Sequence, residues 1–159
     1  MSSPGHLVRR FFGALGSGGP LLADAAWIDS LLSPAEAALW RRMSGPDQRH
    51  AAGVARRVDA AGLGGRPALV AALLHDVGKV ESGLSTFERV PATLARPWPG
   101  RTPGRWRRYY DHPAIGAALL EQAGSDPLVV TWAREHHLPP SRWTLPADVA
   151  RALKTADDD

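Results

Sequence analysis

The chain has 159 residues, 44% of them hydrophobic, enough for one domain with a sizeable core and too few for two comfortable ones. It contains no cysteine, which excludes a disulfide framework and a thiolate metal site, and fits a reducing, cytoplasmic setting. A net charge of +3 and a pI near 9.9 favour anionic partners weakly, and no segment approaches the ~20 apolar residues of a membrane helix.

The first twenty residues are rich in Gly and Ser and lack sustained periodicity. Arg9 and Arg10 before Phe11 to Leu15 imitate the start of a signal sequence, but that apolar run is too short and dissolves into Gly16 to Gly19. A frayed terminus is expected, with no function for His6. Leu21 to Leu32 and Pro34 to Met43 carry helical spacing, with Ser33 as a cap and Pro34 at the first position of the second helix. Ser44-Gly-Pro46 is expected to break the chain. Asp47 to Ala60 resumes as a helix, and its stripe of His50, Val54 and Val58 turns His50 toward the core.

The stretch Leu69 to Lys79 follows. Pro67 suits a first helical turn, and Leu69, Val70, Leu73, Leu74 and Val77 leave almost no polar face, the pattern of a central helix covered all round and stopped at Gly78. That helix carries His75 and Asp76 side by side into an apolar interior, where each is costly without a partner. A bound cation would satisfy both; a buried His–Asp hydrogen bond is the plainer alternative.

Glu81 to Leu94 is moderately amphipathic and ends in Arg96 to Gly104, which reads as a loop. Across this loop and the following residues, Arg96, Arg101, Arg105, Arg107 and Arg108 are interleaved with Trp98, Trp106, Tyr109 and Tyr110. Such a mixture binds phosphates and stacks on bases, so Arg105 and Arg108 are candidates for substrate contact; a solvated loop with locally packed aromatics is the alternative. Asp111 is expected to cap a helix from His112 to Ala123 with an inward stripe of His112, Ile115, Gly116, Leu119 and Ala123. Ser125 and Pro127 open a further helix to His137, in which Val129, Trp132 and Ala133 share a face with His136. His137 is turned about 100° away and is the alternative ligand. The last helix starts near Pro146. Asp157 follows Leu153 by four and shares its apolar face, whereas Asp158 follows Arg151 and Lys154 toward solvent. No strand alternation, repeat or βαβ unit appears, so an all-α fold is expected.

His50, His75, Asp76, His112, His136 and Asp157 are therefore candidate metal ligands. A mixed imidazole and carboxylate shell suits iron or manganese, with zinc, cobalt or nickel as alternatives, better than magnesium or calcium. A carboxylate can bridge two ions where a neutral imidazole cannot, which makes Asp76 the expected bridge and a catalytic residue. Two ions ~3.5–4 Å apart would hold a shared hydroxide and clamp phosphoryl oxygens. Lys79, one helical turn from His75, is the second catalytic candidate, able to reach a phosphate; its alternative role is to neutralise the helix C-terminus from an exposed position.

The order His50, His75-Asp76, Asp157 resembles the HD-domain superfamily of metal-dependent phosphohydrolases. His75-Asp-Val-Gly-Lys79 is similar, nearly letter for letter, to its core motif, and Asp47-Gln-Arg-His50-Ala51 to its first-histidine motif. The resemblance covers roughly Asp47 to the C-terminus. It implies an HD-domain-like helical bundle with the metal site at its centre: a catalytic unit at 46–159, preceded by a tail and packing helices at 1–45 that join it in one compact unit. His112 and His136 fall where two-metal members add ligands. The pair His136-His137 is similar to the double histidine of the HD-GYP cyclic dinucleotide phosphodiesterases, but Leu138-Pro-Pro-Ser-Arg-Trp143 follows without Gly-Tyr-Pro, which argues against that substrate. The resemblance implies hydrolysis of a small anionic phosphate compound, nucleotide-like, with one or two divalent transition-metal ions; neither a membrane nor a nucleic-acid partner is expected. Two alternatives stand beside it: a di-iron oxygenase, since some HD-type proteins with this ligand order resemble mixed-valent di-iron oxygenases, and a metal-stabilised module that senses a nucleotide or phosphate without turnover.

Overall fold

The computed structural model describes residues 22–62, 65–83 and 104–159. Helix α1 (Leu22–Leu31) is followed at once by α2 (Pro34–Arg42), whose start is fixed by a reciprocal pair. The Ser33 hydroxyl accepts from the Glu36 amide at 3.3 Å, and the Glu36 carboxylate accepts from the Ser33 amide at 2.8 Å. Ser44 starts α3 (Gly45–Ala61) by accepting from the Asp47 amide, and Gly62, at φ 67°, ends it in the left-handed conformation. The expected break at Ser44-Gly-Pro46 is thus a cap and first turn: proline there sacrifices only an amide that has no intrahelical partner.

Helix α4 (Gly65–Leu74) buries Ala68 and every residue from Val70 to Leu74. It ends at Leu74, four residues before the expected stop. His75 and Asp76 form a turn, and Val77–Glu81 continues as a short 3-10 helix. Gly78 lies inside that 3-10 segment, and close packing explains it: a Cβ there would sit 2.0 Å from the His112 carbonyl oxygen and 2.6 Å from the Gly116 amide.

Helix α5 (Gly104–Tyr110) runs almost directly into α6 (His112–Gln122). Asp111, between them, makes no side-chain cap; its carboxylate lies 3.9 Å from Arg107 and its amide donates to the Arg107 carbonyl. The inward face of α6 is His112, Gly116, Ala117 and Leu120, with Ile115, Leu119 and Ala123 at its half-buried margins, a rotation of the expected stripe. Asp126, not Ser125, caps α7 (Pro127–Glu135), accepting from the Leu128 amide at 2.8 Å. That helix ends at Glu135, so His136 and His137 belong to the turn beyond it. Helix α8 (Ala147–Asp158) buries Ala150, Leu153, Ala156 and Asp157.

The described residues hold eight α-helices and no strand, an all-α arrangement. Helix α4 is its axis, flanked by α3 and α7, with α1, α2 and α8 also against it; α6 packs on α7 and on the 3-10 segment. Val54, Val58, Val70, Leu73, Leu74, Leu120, Trp132 and Leu153 fill the core at 1% exposure or less. Each such side chain contributes roughly 1.5–3 kcal/mol by leaving water. Among the described residues no helix is long and apolar enough to cross a membrane. The expected segment Glu81 to Leu94, beyond Gly83, and the loop Arg96 to Gly104, up to residue 103, lie outside the described residues.

Candidate metal centre

Three of the buried imidazoles are aimed by the same local device. Nδ1 of His75 donates to the Ala72 carbonyl at 2.9 Å, that of His136 to Ala133 at 2.9 Å, and that of His112 to Tyr109 at 2.6 Å, each three residues back. The bond fixes both ring orientation and tautomer, leaving each Nε2 as a lone-pair donor. The three Nε2 atoms converge on Asp76: His112 and His136 lie 3.3 and 3.6 Å from its Oδ1, and His75 lies 3.5 Å from its Oδ2. On the far side of His75, Asp157 Oδ1 is 3.5 Å from its Nε2 and 2.9 Å from Nε2 of His50. His50 is the least enclosed of the set, with its side chain 23% exposed.

These groups fall into two clusters that share Asp76: His50, His75 and Asp76 in one, and Asp76, His112, His136 and His137 in the other, each able to offer ligand atoms within 4.8 Å of one another. His137 joins because its Nε2 is 3.2 Å from that of His112, although the residue remains exposed overall. Helical phase turned it outward in the sequence; the helix stops at Glu135, and the turn carries it back.

The electrostatics follow from burial and partners. Burial works against ionisation of Asp76, but the Lys79 ammonium first, and then His75, hold its carboxyl well below the usual range. Burial also works against a charged His75, and Asp76 and Asp157 outweigh it, so its pKa is raised. For His136 burial dominates and the pKa falls. His137 falls too, first by enclosure of its ring and then by repulsion from His136 and His112. Lys79 does not stand out into solvent: its side chain is 12% exposed and ion-pairs with Asp76. Arg108 is exposed on α5, while the side chain of Arg105 lies outside the described residues.

Two contributors were not read from the sequence. Arg57 donates from Nε to the Ala156 carbonyl at 2.8 Å, tying the end of α8, and so Asp157, to α3. Glu135 accepts from Thr144 through both carboxylate oxygens. The donor set fits a cation. Nε2 of His75 and of His136 are fully buried without a hydrogen-bond partner, beside an ionised carboxylate, and orphaned buried ring nitrogens of this kind are rare unless a ligand completes them.

An all-α core that gathers histidines and aspartates from five separate segments is a helical domain whose donor set is compatible with a divalent metal ion. The sequence model of the HD domain matches residues 48–158, well over half of the chain, and the protein belongs to that family. No curated protein and no solved structure matches the chain.

Proposed function

We propose that the protein is a metal-dependent phosphohydrolase that cleaves a phosphate ester or anhydride of a small, nucleotide-like substrate, using two divalent transition-metal ions, iron or manganese by preference. Membership of a family typical of metal-dependent hydrolases supports the class. The observation that carries the reading is Asp76, whose two oxygens face different histidine clusters. A carboxylate so placed is suited to bridge two cations. His50, His75 and Asp157 would complete one site, and His112 and His136 the other, with His137 beside them. Bound there, such ions supply Lewis acidity toward phosphoryl oxygens and acidify water.

The chain's own groups have separable tasks. The Nδ1 bonds of His75, His112 and His136 hold their rings in register, so that no tautomeric or rotational freedom is lost on binding. Depressed pKa values keep His136 and His137 neutral and able to donate lone pairs near pH 7. The Lys79 ammonium, held at Asp76, is a positive charge at the edge of the centre for an incoming phosphate, and Arg108 is an exposed cation on α5 for its recruitment.

The test is elemental analysis of protein purified without oxygen, followed by anaerobic assay of phosphate release from a nucleotide panel. About two ions per chain and release without oxygen are expected. Failure to take up iron or manganese would sink the reading. Turnover that requires oxygen would replace it with an oxygenase, and tight nucleotide binding without turnover with a sensing module.

A further inference from the structure

We infer that Glu135 is a positioning residue for the second histidine cluster, acting through Thr144 and the strap between them; the inference rests on the metal-binding reading above. Glu135 is the last residue of α7 and is 6% exposed. Its Oε2 accepts from the Thr144 amide at 2.8 Å and its Oε1 from the Thr144 hydroxyl at 2.6 Å. A carboxylate this enclosed is costly without such donors, so the pair is held firmly. It closes residues 135–144 into a ring of chain, and the two residues that follow Glu135 directly are His136 and His137.

Other contacts stiffen the ring. The Leu138 amide donates to the Glu135 carbonyl at 2.7 Å, and Nε1 of Trp143 donates to the Leu138 carbonyl at 3.1 Å. The Trp143 ring meets Trp132 edge to face at 5.9 Å, and Trp132 lies against the His136 ring. The strap thus folds back over the C-terminal end of α7 and fixes the turn that swings His137 toward His112. Without the Glu135 anchor, α7 would still be packed on α4 and α6, and α8 on α3 and α4. The His50, His75 and Asp157 side of the centre therefore keeps all its supports, whereas the turn at His136-His137 keeps the His136 bonds to Trp132 and Ala133 but loses the anchor of the strap beyond it.

The experiment titrates manganese or iron into the purified wild type, Glu135→Ala, Glu135→Gln and Thr144→Ala, with affinities for the first and second ion read by calorimetry. Imidazole nitrogen NMR signals, recorded without metal, report each histidine separately. Glu135→Ala is expected to weaken the second ion at least ~10-fold, the usual scale for an outer partner of a metal ligand, and to leave the first within ~3-fold. The imidazole signals of His136 and His137 should shift while that of His50 stays. Glutamine keeps an acceptor for the Thr144 amide and should restore most of the loss, and Thr144→Ala should fall between. Unchanged second-ion affinity in Glu135→Ala, equal weakening of both ions, or a glutamine variant as poor as alanine would each overturn the inference while leaving the metal reading intact. A wild type that takes up no ion would bring down that reading and this one with it.

Discussion

Five imidazoles, two carboxylates and one ammonium share the centre, and their individual environments set opposing pH responses. Burial lowers the pKa of His136 below 6.5, so the unfolded chain binds its proton more readily than the folded one, and stability is lost as pH falls below that value. For His75, burial is outweighed by Asp76 and Asp157 and the pKa is raised, so its contribution is present below 6.5 and lost as pH rises through the folded value. Urea melts in chelator between pH 5 and 8 should therefore show His136→Asn with a flatter acid-side loss than the parent, and His75→Asn with a steeper one; matching slopes would refute the assignment. Lys79→Met removes the cation that does most to keep Asp76 ionised and should weaken phosphate-substrate binding rather than abolish ion uptake, a split between KM and metal content that assays can separate. At this scale much was legible. Helical phase turns His50, His112, His136 and Asp157 inward and Asp158 outward, and the covered helix delivers His75 and Asp76. Phase turns His137 outward as the second choice, and that residue is exposed although the turn past Glu135 brings its Nε2 to 3.2 Å from that of His112; it leaves Lys79 with an exposed alternative that its ion pair with Asp76 removes.

Helices were easier to see than their ends. Ser33 and Pro34 announce α2 because cap and proline chemistry is local, and Pro46 and Pro127 similarly mark first turns. The end of α4 falls short of the stop that Gly78 suggests, because the lack of a side chain there serves a tertiary contact with α6 that no local pattern encodes. That contact yields a contrast between two glycines. Gly78→Ala drives a Cβ into backbone atoms of His112 and Gly116, which cannot yield as a flexible side chain would, and should cost about 3 kcal/mol or more. Gly116→Ala meets the Gly78 amide at 3.1 Å and needs only a small adjustment, so about 1 kcal/mol is expected. Denaturant midpoints of the two variants measure the difference, and near-equal values would mean that the 3-10 segment yields freely. Because Gly78 abuts the first turn of α6, its variant should also displace His112 and reduce uptake of the second ion, whereas the Gly116 variant should not.

Across the whole molecule, the clustered side chains come from α3, the turn after α4, the start of α6, the turn after α7 and the end of α8, and the pair His50 and Asp157 joins positions 107 residues apart. Any ion held by this set binds the folded chain far better than the unfolded one, so the centre is a cross-link among five segments. At a hundredfold excess over its Kd one ion adds about 2.7 kcal/mol, which for a chain of this size raises Tm by on the order of 5–10 °C. Manganese added to chelated protein should produce that rise, and a Tm indifferent to the metal would show that the histidines close the core without it. The two terminal aspartates then distinguish specific binding from general charge screening. Asp157 is 4% exposed against His50 and His75, so Asp157→Ala should forfeit most of the increment from the first ion. Asp158 is exposed and paired with Lys154, so Asp158→Ala should keep the full rise and change the Tm of chelated protein by no more than about 1–2 °C. Equal losses in both variants would mean that α8 contributes negative charge without register, contrary to the tie from Arg57 to Ala156 that sets Asp157 in place.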